Sequence, residues 1–197
     1  MGFEADFEHR DDLIGASIDE FQTHGYEGAS LNRILDAAGM SKGQLYHHFA
    51  NKQDLFLSLV EWAIAEKARW SAANLPPGDV RDFFDLIRAN MTASVEFTKE
   101  RPHIDRFARA LLAERGRPVF ALITERVGFS ADGPLDVLIT QHHAAGSFVE
   151  DLPLAFIRRL IPLILNNLPE LLDLDEPSDL EPRIDQLTSW LRRSLGP

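Results

Sequence analysis

Apolar residues recur along this chain at intervals of three and four positions, which is the period of an amphipathic α-helix. Strict alternation of apolar and polar residues does not persist beyond a few positions, so we predict an all-α fold. Near the N-terminus the pattern predicts three short helices. The first ends at Gly25, the second begins after the cap Ser30 and closes at Gly39, and the third begins after the cap Ser41.

A longer helix is predicted from the cap Asn51 to about residue 74, followed by a clear break at LPPGD, residues 75–79. Asp79 can cap the next helix. Beyond the break we predict helices over about 80–100, 103–115, 118–127, 134–145, 154–172 and 177–195. Pro162 is expected to kink the helix over 154–172, and Pro169 to end it early.

The second and third helices are separated only by Gly39, Met40 and Ser41, which is the spacing of a helix-turn-helix. At about 100° per residue, Leu45 and Phe49 of the third helix point to one side and Gly43 and His47 point to the opposite side. The third helix is therefore predicted to be anchored by two residues and to present the rest.

Composition bounds the kind of protein. The chain has 197 residues, 45% of them hydrophobic, which is the content of a globular protein. It has no cysteine, which excludes disulfides, thiolate nucleophiles and cysteine-bound zinc and suits a reducing cytoplasm. The acidic start is unlike a signal or transit peptide, and the apolar stretch at 160–165 is too short to span a bilayer. We expect a soluble, cytoplasmic protein without a membrane partner.

Charge is distributed unevenly along the chain. The net charge of −11 argues against nucleic acid as a partner, because phosphate binding needs a basic surface. Residues 1–20 contain seven acids and one arginine, whereas residues 39–53 contain Lys42, Lys52 and two histidines but no acid. A neutral-to-basic window thus coincides with the predicted helix-turn-helix.

The run GYEGASLNRILDAAGMSKGQLYHHFANKQDL resembles the DNA-binding segment of the TetR family of transcriptional repressors. The resemblance covers roughly residues 10–60 and includes the turn glycine, the SKG-x-LY-x-x-F core and the following NK. It implies a homodimer that binds a palindromic double-stranded operator through its third helix and is released when a small molecule enters the C-terminal domain. By position it also implies DNA contacts: phosphate contacts at Ser30, Tyr46 and Lys52, base-facing residues at Lys42, Gly43, Gln44 and His47, and further DNA-reaching positions at Asn32 and Ser41.

Physical chemistry favours several of these roles independently. Lys52 lies in the first turn of a helix, where free N–H groups already favour a phosphate. Gln44 is of the type that reads adenine, although Ser41-x-x-Gln44 is also a capping box, and both interpretations stay open. His48 flanks the buried face and is expected to be packed. Because the segment before the first helix is acidic, we expect few phosphates to be neutralised per subunit.

The C-terminal half has surplus apolar surface. The helix over 154–172 is apolar nearly all round, and the helix over 177–195 carries a single apolar stripe. Two such helices can cover their own core and also meet a two-fold copy. The predicted dimer contacts are Leu160, Ile164, Leu187, Trp190 and Leu191.

An apolar cavity with a few polar groups is the expected form of the effector site. The candidate lining residues are Trp62, Phe97, Arg106, Phe107, Gln141 and His142, although the same aromatic residues at helical spacing are first of all core. His142 and His143 are adjacent and cannot share a metal as an i, i+4 pair would, and we find no catalytic motif. We expect no catalytic residue, no metal and no cofactor.

The sequence therefore predicts a helix-turn-helix DNA-binding domain over residues 1–52 and a helical ligand-binding and dimerisation domain over residues 53–197, connected by the helix over 52–74. The predicted function is that of a ligand-responsive transcriptional regulator, most simply a repressor released by a small apolar effector. The alternative is a helical ligand-binding protein of the same fold that has lost DNA binding. An enzyme is a distant third interpretation.

Overall fold

The computed structural model of the chain describes residues 2–74, 82–127, 133–172 and 180–197. Every regular element in these ranges is an α-helix, which confirms the predicted all-α fold. The predicted break at 75–79 and the cap at Asp79 lie outside the described residues. The helices are α1 (Arg10–Gly28), α2 (Leu31–Ala38), α3 (Lys42–His48), α4 (Lys52–Asn74), α5 (Phe83–Glu100), α6 (Pro102–Ala113), α7 (Pro118–Val127), α8 (Pro134–Ala144), α9 (Leu154–Asn166), α10 (Leu168–Leu172) and α11 (Leu180–Leu195).

Local capping chemistry sets the ends of the short N-terminal helices. The side chain of Ser30 accepts from a backbone N–H in the first turn of α2, and Gly39 closes that helix with a left-handed φ of 66°. Asn51 Oδ1 accepts from the backbone N–H of Asp54 at 2.9 Å and so caps α4. Ser41 caps α3. All four predicted end residues are confirmed.

Gly25 interrupts α1 with φ 65° and ψ 177°, and the helix resumes for one turn to Gly28. The regular part of the helix thus ends where the sequence predicts. A Cβ at position 25 would lie 2.9 Å from Glu114 Oε1, in addition to the unfavourable positive φ. The positive φ therefore favours glycine here, and a Cβ would also require the end of the Glu114 side chain to shift.

The single helix predicted over 154–172 is wrong, because the structure contains two helices, α9 and α10, interrupted at Asn167 (φ −113°, ψ 20°). Pro162 lies inside α9. The break lies just before Pro169, where an early end was predicted. Pro169 lies in the first turn of α10 and has no N–H to donate to a preceding turn, as one continuous helix would require. The carboxamide of Asn167 donates to the carbonyl of Leu163 at 2.6 Å.

The described residues form two compact units. Unit 1 consists of the described residues within 1–70 and 97–129. Unit 2 consists of the described residues within 71–96 and 130–197. These divisions fall at other positions than the predicted boundary at residue 52, which stays a prediction. Unit 1 has one apolar core formed by the N-terminal segment, α1–α4, the end of α5, α6 and α7. Its fully buried members include Leu13, Ile34, Leu45, Phe49 and Phe107.

Unit 2 has its own core, which includes Phe83 and Met91 of α5, Ile139 of α8, Ile157 of α9 and Ile184 of α11. Each fully buried side chain of this size stabilises the fold by roughly 1.5–3 kcal/mol through removal of apolar surface from water. Ion pairs at the surface also join α5 and the segment before it to α11. They link Arg88 to Glu181 and Asp185, and Arg192 to Asp82 and Asp85.

Within the described ranges, no helix combines the length and the hydropathy needed to cross a membrane. In the same ranges, no group of three or more histidine, aspartate or glutamate side chains is placed so that it could hold a metal ion.

Candidate nucleic-acid interface

Helices α2 and α3 form a helix-turn-helix around the predicted three-residue turn. The inner face of α2, made by Ile34, Leu35 and Ala38, is buried in the core of unit 1. Leu45 and Phe49 anchor α3 in the same core, as the sequence predicts. Because Leu45 and Phe49 are the only fully buried side chains of this segment, most of the surface of α3 is available to a partner.

The outward face of α3 is polar and open. Lys42, Gly43 and His47 are exposed, and 54% of Tyr46 is exposed. A Cβ added at Gly43 would have Ser41 Oγ as its nearest neighbour, at 3.9 Å. No steric reason inside the protein therefore requires glycine at this position, so its small size is available for close approach to a groove.

Gln44 completes a capping box with Ser41. The Ser41 N–H donates to Gln44 Oε1 at 2.8 Å, and the Gln44 N–H donates to Ser41 Oγ at 3.3 Å. The capping interpretation is thus confirmed. Bidentate recognition of adenine uses both the carbonyl and the amino group of a glutamine, so it would compete with the cap for Oε1. Recognition of a base by Gln44 stays a prediction.

The N-terminal segment, residues 2–9, packs back on the end of α3. The rings of Phe3 and Phe49 lie 4.9 Å apart, and Phe7 stacks on His48 at 4.0 Å with an interplanar angle of 19°. Arg10 donates from Nε and Nη2 to the carbonyl of Phe3, at 2.8 and 2.7 Å. Sequence reasoning missed this packing, although the i, i+4 spacing of the two phenylalanines before α1 was a usable signal.

His48 is packed, as predicted, and its environment affects its titration. Its ring is half-buried against Phe7, and this burial lowers the pKa of His48 below the ordinary value of 6.5, with a further lowering from the charge of His47. The neighbouring His47 is exposed. The two adjacent histidines therefore have different roles, one in packing and one at the surface.

Lys52 has a structural role that the sequence did not reveal. Its ammonium donates to the carbonyls of Tyr26, Glu27 and Ala29 at 2.8–3.2 Å and lies 4.8 Å from the centroid of the Tyr26 ring. A lysine has three donors, and all three are directed at carbonyls at the end of α1. The predicted phosphate contact of Lys52 would require the ammonium to leave these carbonyls, and it stays a prediction.

A buried carboxylate supports the start of α2. Glu20 accepts from the backbone N–H of Ser30 at 2.7 Å and from the guanidinium of Arg33. The hydrogen bond from Arg33 is the largest cause that lowers the pKa of Glu20, and it outweighs the opposing effect of burial. Ser30 is therefore held through its backbone as well as through its cap, while Asn32 is exposed on the first turn of α2.

The six predicted effector residues, four in unit 1 and two in unit 2, differ in exposure and in neighbours, and their role stays a prediction. Phe97 and Phe107 are buried in the core of unit 1, where Phe97 packs edge-on against Trp70 at 5.6 Å. Arg106 and Gln141 are exposed. In unit 2, His142 Nδ1 lies 3.1 Å from Ser147 Oγ, and the ring packs near Phe83.

Trp62, the sixth residue, lines a cleft of about 810 Å³ between the N-terminal segment, α4 and α7. Three arginines also line this cleft, and each already pairs with an acid: Arg10 with Asp11, Arg69 with Glu66, and Arg126 with Glu61. The cleft is consequently charged but internally compensated.

The predicted dimer residues differ in exposure. Leu160, Ile164 and Leu187 are half-buried, and 49% of Trp190 is exposed. Leu191 is only 1% exposed and packs in the core of unit 2, and its predicted contact with a partner stays a prediction. The stripe on α11 faces its own core at this position rather than solvent.

Two exposed apolar residues on α9 were missed by sequence reasoning. Phe156 is 49% exposed and Leu163 is 59% exposed, and their spacing of seven residues places them on one face of the helix, with Leu160 between them. The apolar character of α9 all round its circumference concealed which of its faces is solvent-exposed.

A three-helix N-terminal region with an anchored, outward-facing third helix is the architecture of a helix-turn-helix DNA-binding protein. Comparison with known proteins agrees with this class. Residues 13–59 match the sequence profile of the bacterial regulatory proteins of the tetR family. The chain is also 30% identical over 179 residues to the HTH-type transcriptional repressor AcnR of Corynebacterium diphtheriae, covering 86% of this chain and 90% of that protein.

The chain belongs to the TetR family of bacterial transcriptional regulators. Solved structures agree over nearly the whole length. A TetR family regulator from Chloroflexus aurantiacus has a TM-score of 0.74 at 25% identity and covers 99% of this chain and 96% of its own. FadR from Bacillus subtilis, solved in complex with stearoyl-CoA, shares the fold with a TM-score of 0.69 at 18% identity, covering 92% of this chain and 96% of its own.

Proposed function

We propose that this protein is a ligand-responsive repressor that binds a palindromic operator as a homodimer through α3. The observation that carries the proposal is the geometry of α3. This helix is capped at Ser41, anchored by Leu45 and Phe49, and otherwise directed outward. That arrangement presents a short polar helix to the major groove and has no evident purpose within the fold.

The side chains of the outward face suit the two kinds of DNA contact. Lys42 and His47 can donate to purine acceptors, Gly43 permits close approach, and the amino group of Gln44 can donate even while its carbonyl holds the cap. Phosphate contacts are assigned to the hydroxyl-bearing, amide and cationic groups near the helix ends, namely Ser30, Asn32, Ser41, Tyr46 and Lys52.

A homodimer is supported by the apolar surface of unit 2. Phe156, Leu160 and Leu163 follow one face of α9, and Leu187 and Trp190 follow one face of α11. Exposed aromatic and aliphatic residues on helix faces are typical of a helical interface. A two-fold dimer would place two copies of α3 at half-sites about one helical turn, roughly 34 Å, apart.

The proposed effector is a small, largely apolar molecule bound by the region after residue 52, and its entry lowers the affinity for the operator. The named ligand of one solved structure with this fold, stearoyl-CoA on FadR of Bacillus subtilis, contains a long acyl chain and supports an apolar class. Release then follows from linkage, because a ligand that prefers the non-binding conformation must weaken DNA binding by the same factor.

Selection from a pool of random duplexes tests the DNA-binding part of the proposal. We expect enrichment of a palindrome, and sedimentation should show one dimer per selected duplex. A folded protein that enriches no sequence would refute operator binding and favour the alternative, a ligand-binding protein of the same fold without DNA affinity. Mass spectrometry of molecules that co-purify with the protein then identifies the class of effector.

A further inference from the structure

The N-terminal segment, residues 2–9, holds negative charge beside the helix that is proposed to read DNA. Phe3 is buried and packs on Phe49, and Phe7 stacks on His48 at the end of α3. The two hydrogen bonds from Arg10 to the carbonyl of Phe3 restrain the segment further. These contacts hold the backbone of the segment against the end of α3.

The exposed residues of this segment are mainly acids. Asp6 and Glu8 directly flank Phe7 in sequence, and both are exposed. Successive Cα atoms are 3.8 Å apart, so each carboxylate originates one residue from a ring that stacks 4.0 Å from His48. Repulsion between such carboxylates and DNA phosphates depends on ionic strength. It is strong at 0.01 M, where the screening length is about 30 Å, and nearly absent at 1 M, where it is about 3 Å.

We propose that the N-terminal segment acts as an electrostatic brake on DNA binding. Its residues Asp6 and Glu8 repel the phosphate backbone whenever α3 enters the groove. The proposal rests on the proposed function, because it requires α3 to be the docking helix. Phosphates are present in DNA of any sequence, so the repulsion lowers the affinity for operator and random duplex by about the same factor. Stable binding then depends on base contacts from both half-sites, and a single half-site is too weak.

The test compares the double variant Asp6→Asn/Glu8→Gln with the wild type on two fluorescent duplexes, the selected operator and a random sequence. Both side chains are exposed, so the folded structure should be unaffected. At 50 mM salt we expect the variant to bind both duplexes about tenfold more tightly. The slope of log affinity against log salt should steepen by about one, so that the two proteins converge near 0.5 M salt.

A matched control makes the same change of charge elsewhere. Glu150 and Asp151 are exposed in the connection between α8 and α9, which belongs to unit 2. Glu150→Gln/Asp151→Asn should change the affinity less than twofold. The reversal Asp6→Lys/Glu8→Lys should change log affinity about twice as much as neutralisation does, because the effect scales with charge.

The measured affinities and salt slopes decide whether Asp6 and Glu8 act through their charge and their position. An unchanged affinity in the neutralised variant, or an equal gain in the control variant, overturns the proposal, since the placement of the acids would then be irrelevant. A changed base preference without a change in salt dependence also overturns it, because the segment would then act by repositioning α3. If the wild type and all variants are folded and bind no duplex at any salt concentration, the proposed function itself fails, and the brake fails with it.

Discussion

Replacement of Gly43 separates the stability of α3 from its proposed access to DNA. The position is exposed and helical, and the nearest atom to an added Cβ is 3.9 Å away, so Gly43→Leu meets no clash within the protein. Removing a glycine from a helix stabilises it by about 0.5–1 kcal/mol. For a chain of this size, that gain raises the melting temperature by roughly 1–4 °C.

The same substitution should weaken DNA binding. A leucine side chain at the outward face would hold α3 away from the base edges, and each lost bidentate contact is worth about 1–3 kcal/mol. We therefore expect operator affinity to fall by at least tenfold while thermal stability rises. Fluorescence anisotropy on the selected operator and differential scanning calorimetry measure the two effects on the same preparation.

Gly15 provides the matched control for this experiment. It lies exposed within α1, and no atom other than its helical surroundings and chain neighbours lies within 4 Å of an added Cβ. Gly15→Leu should raise stability by a similar amount and leave operator affinity unchanged. If Gly43→Leu binds the operator as tightly as the wild type, α3 does not enter the groove as proposed. If both variants lose affinity together, the loss reports on stability or assembly and not on groove access.

Three further predictions follow from individual contacts. Gln44→Glu keeps an acceptor for the Ser41 N–H, so the free energy of unfolding should stay within about 0.5 kcal/mol of wild type. Repeated selection from random duplexes should shift the preferred base from adenine towards cytosine. An unchanged operator would show that Gln44 only caps its helix. Because the pKa of His48 is lowered in the folded protein, its contribution to stability is present above about pH 6.5 and is lost as the pH falls through the lowered pKa. Urea titrations from pH 7.5 to 5 should show less of this loss in His48→Phe. An identical pH profile in the two proteins would contradict the lowered pKa of His48. Leu163→Asp should produce monomers in sedimentation and abolish tight operator binding. The control Ile64→Asp, at an exposed apolar site on α4, should remain dimeric. A dimeric Leu163→Asp would refute the proposed interface.

Leu163 tests the partner surface more cleanly than Leu160 or Leu187 does, because it is the most exposed of the three. Leu160 and Leu187 are half-buried and pack against the core of their own protomer. An aspartate at either position would place a charge partly inside that core and could unfold the unit before it affected association. Leu163 is more than half exposed, so its loss reports on the partner surface.

The sequence by itself determined the features that depend on local chemistry. Helix starts at Ser30, Ser41 and Asn51 follow from side chains that accept the first free N–H groups, and the ends at Gly25 and Gly39 follow from the tolerance of glycine for positive φ. These interactions join residues at most four positions apart, so they can be predicted from the sequence without knowledge of the fold. The helix-turn-helix and the inward and outward faces of α3 follow from them.

Tertiary structure alone decided which apolar face is covered and which polar group finds a distant partner. The helical period shows that Leu191 and Leu163 are apolar, but only packing places one in the core and the other in solvent. The ammonium of Lys52 binds carbonyls more than twenty residues earlier in the chain, and Phe7 stacks on a ring forty-one residues later. Such contacts arise because the fold closes long loops around a shared core, and periodicity along the chain contains no information about which surfaces meet.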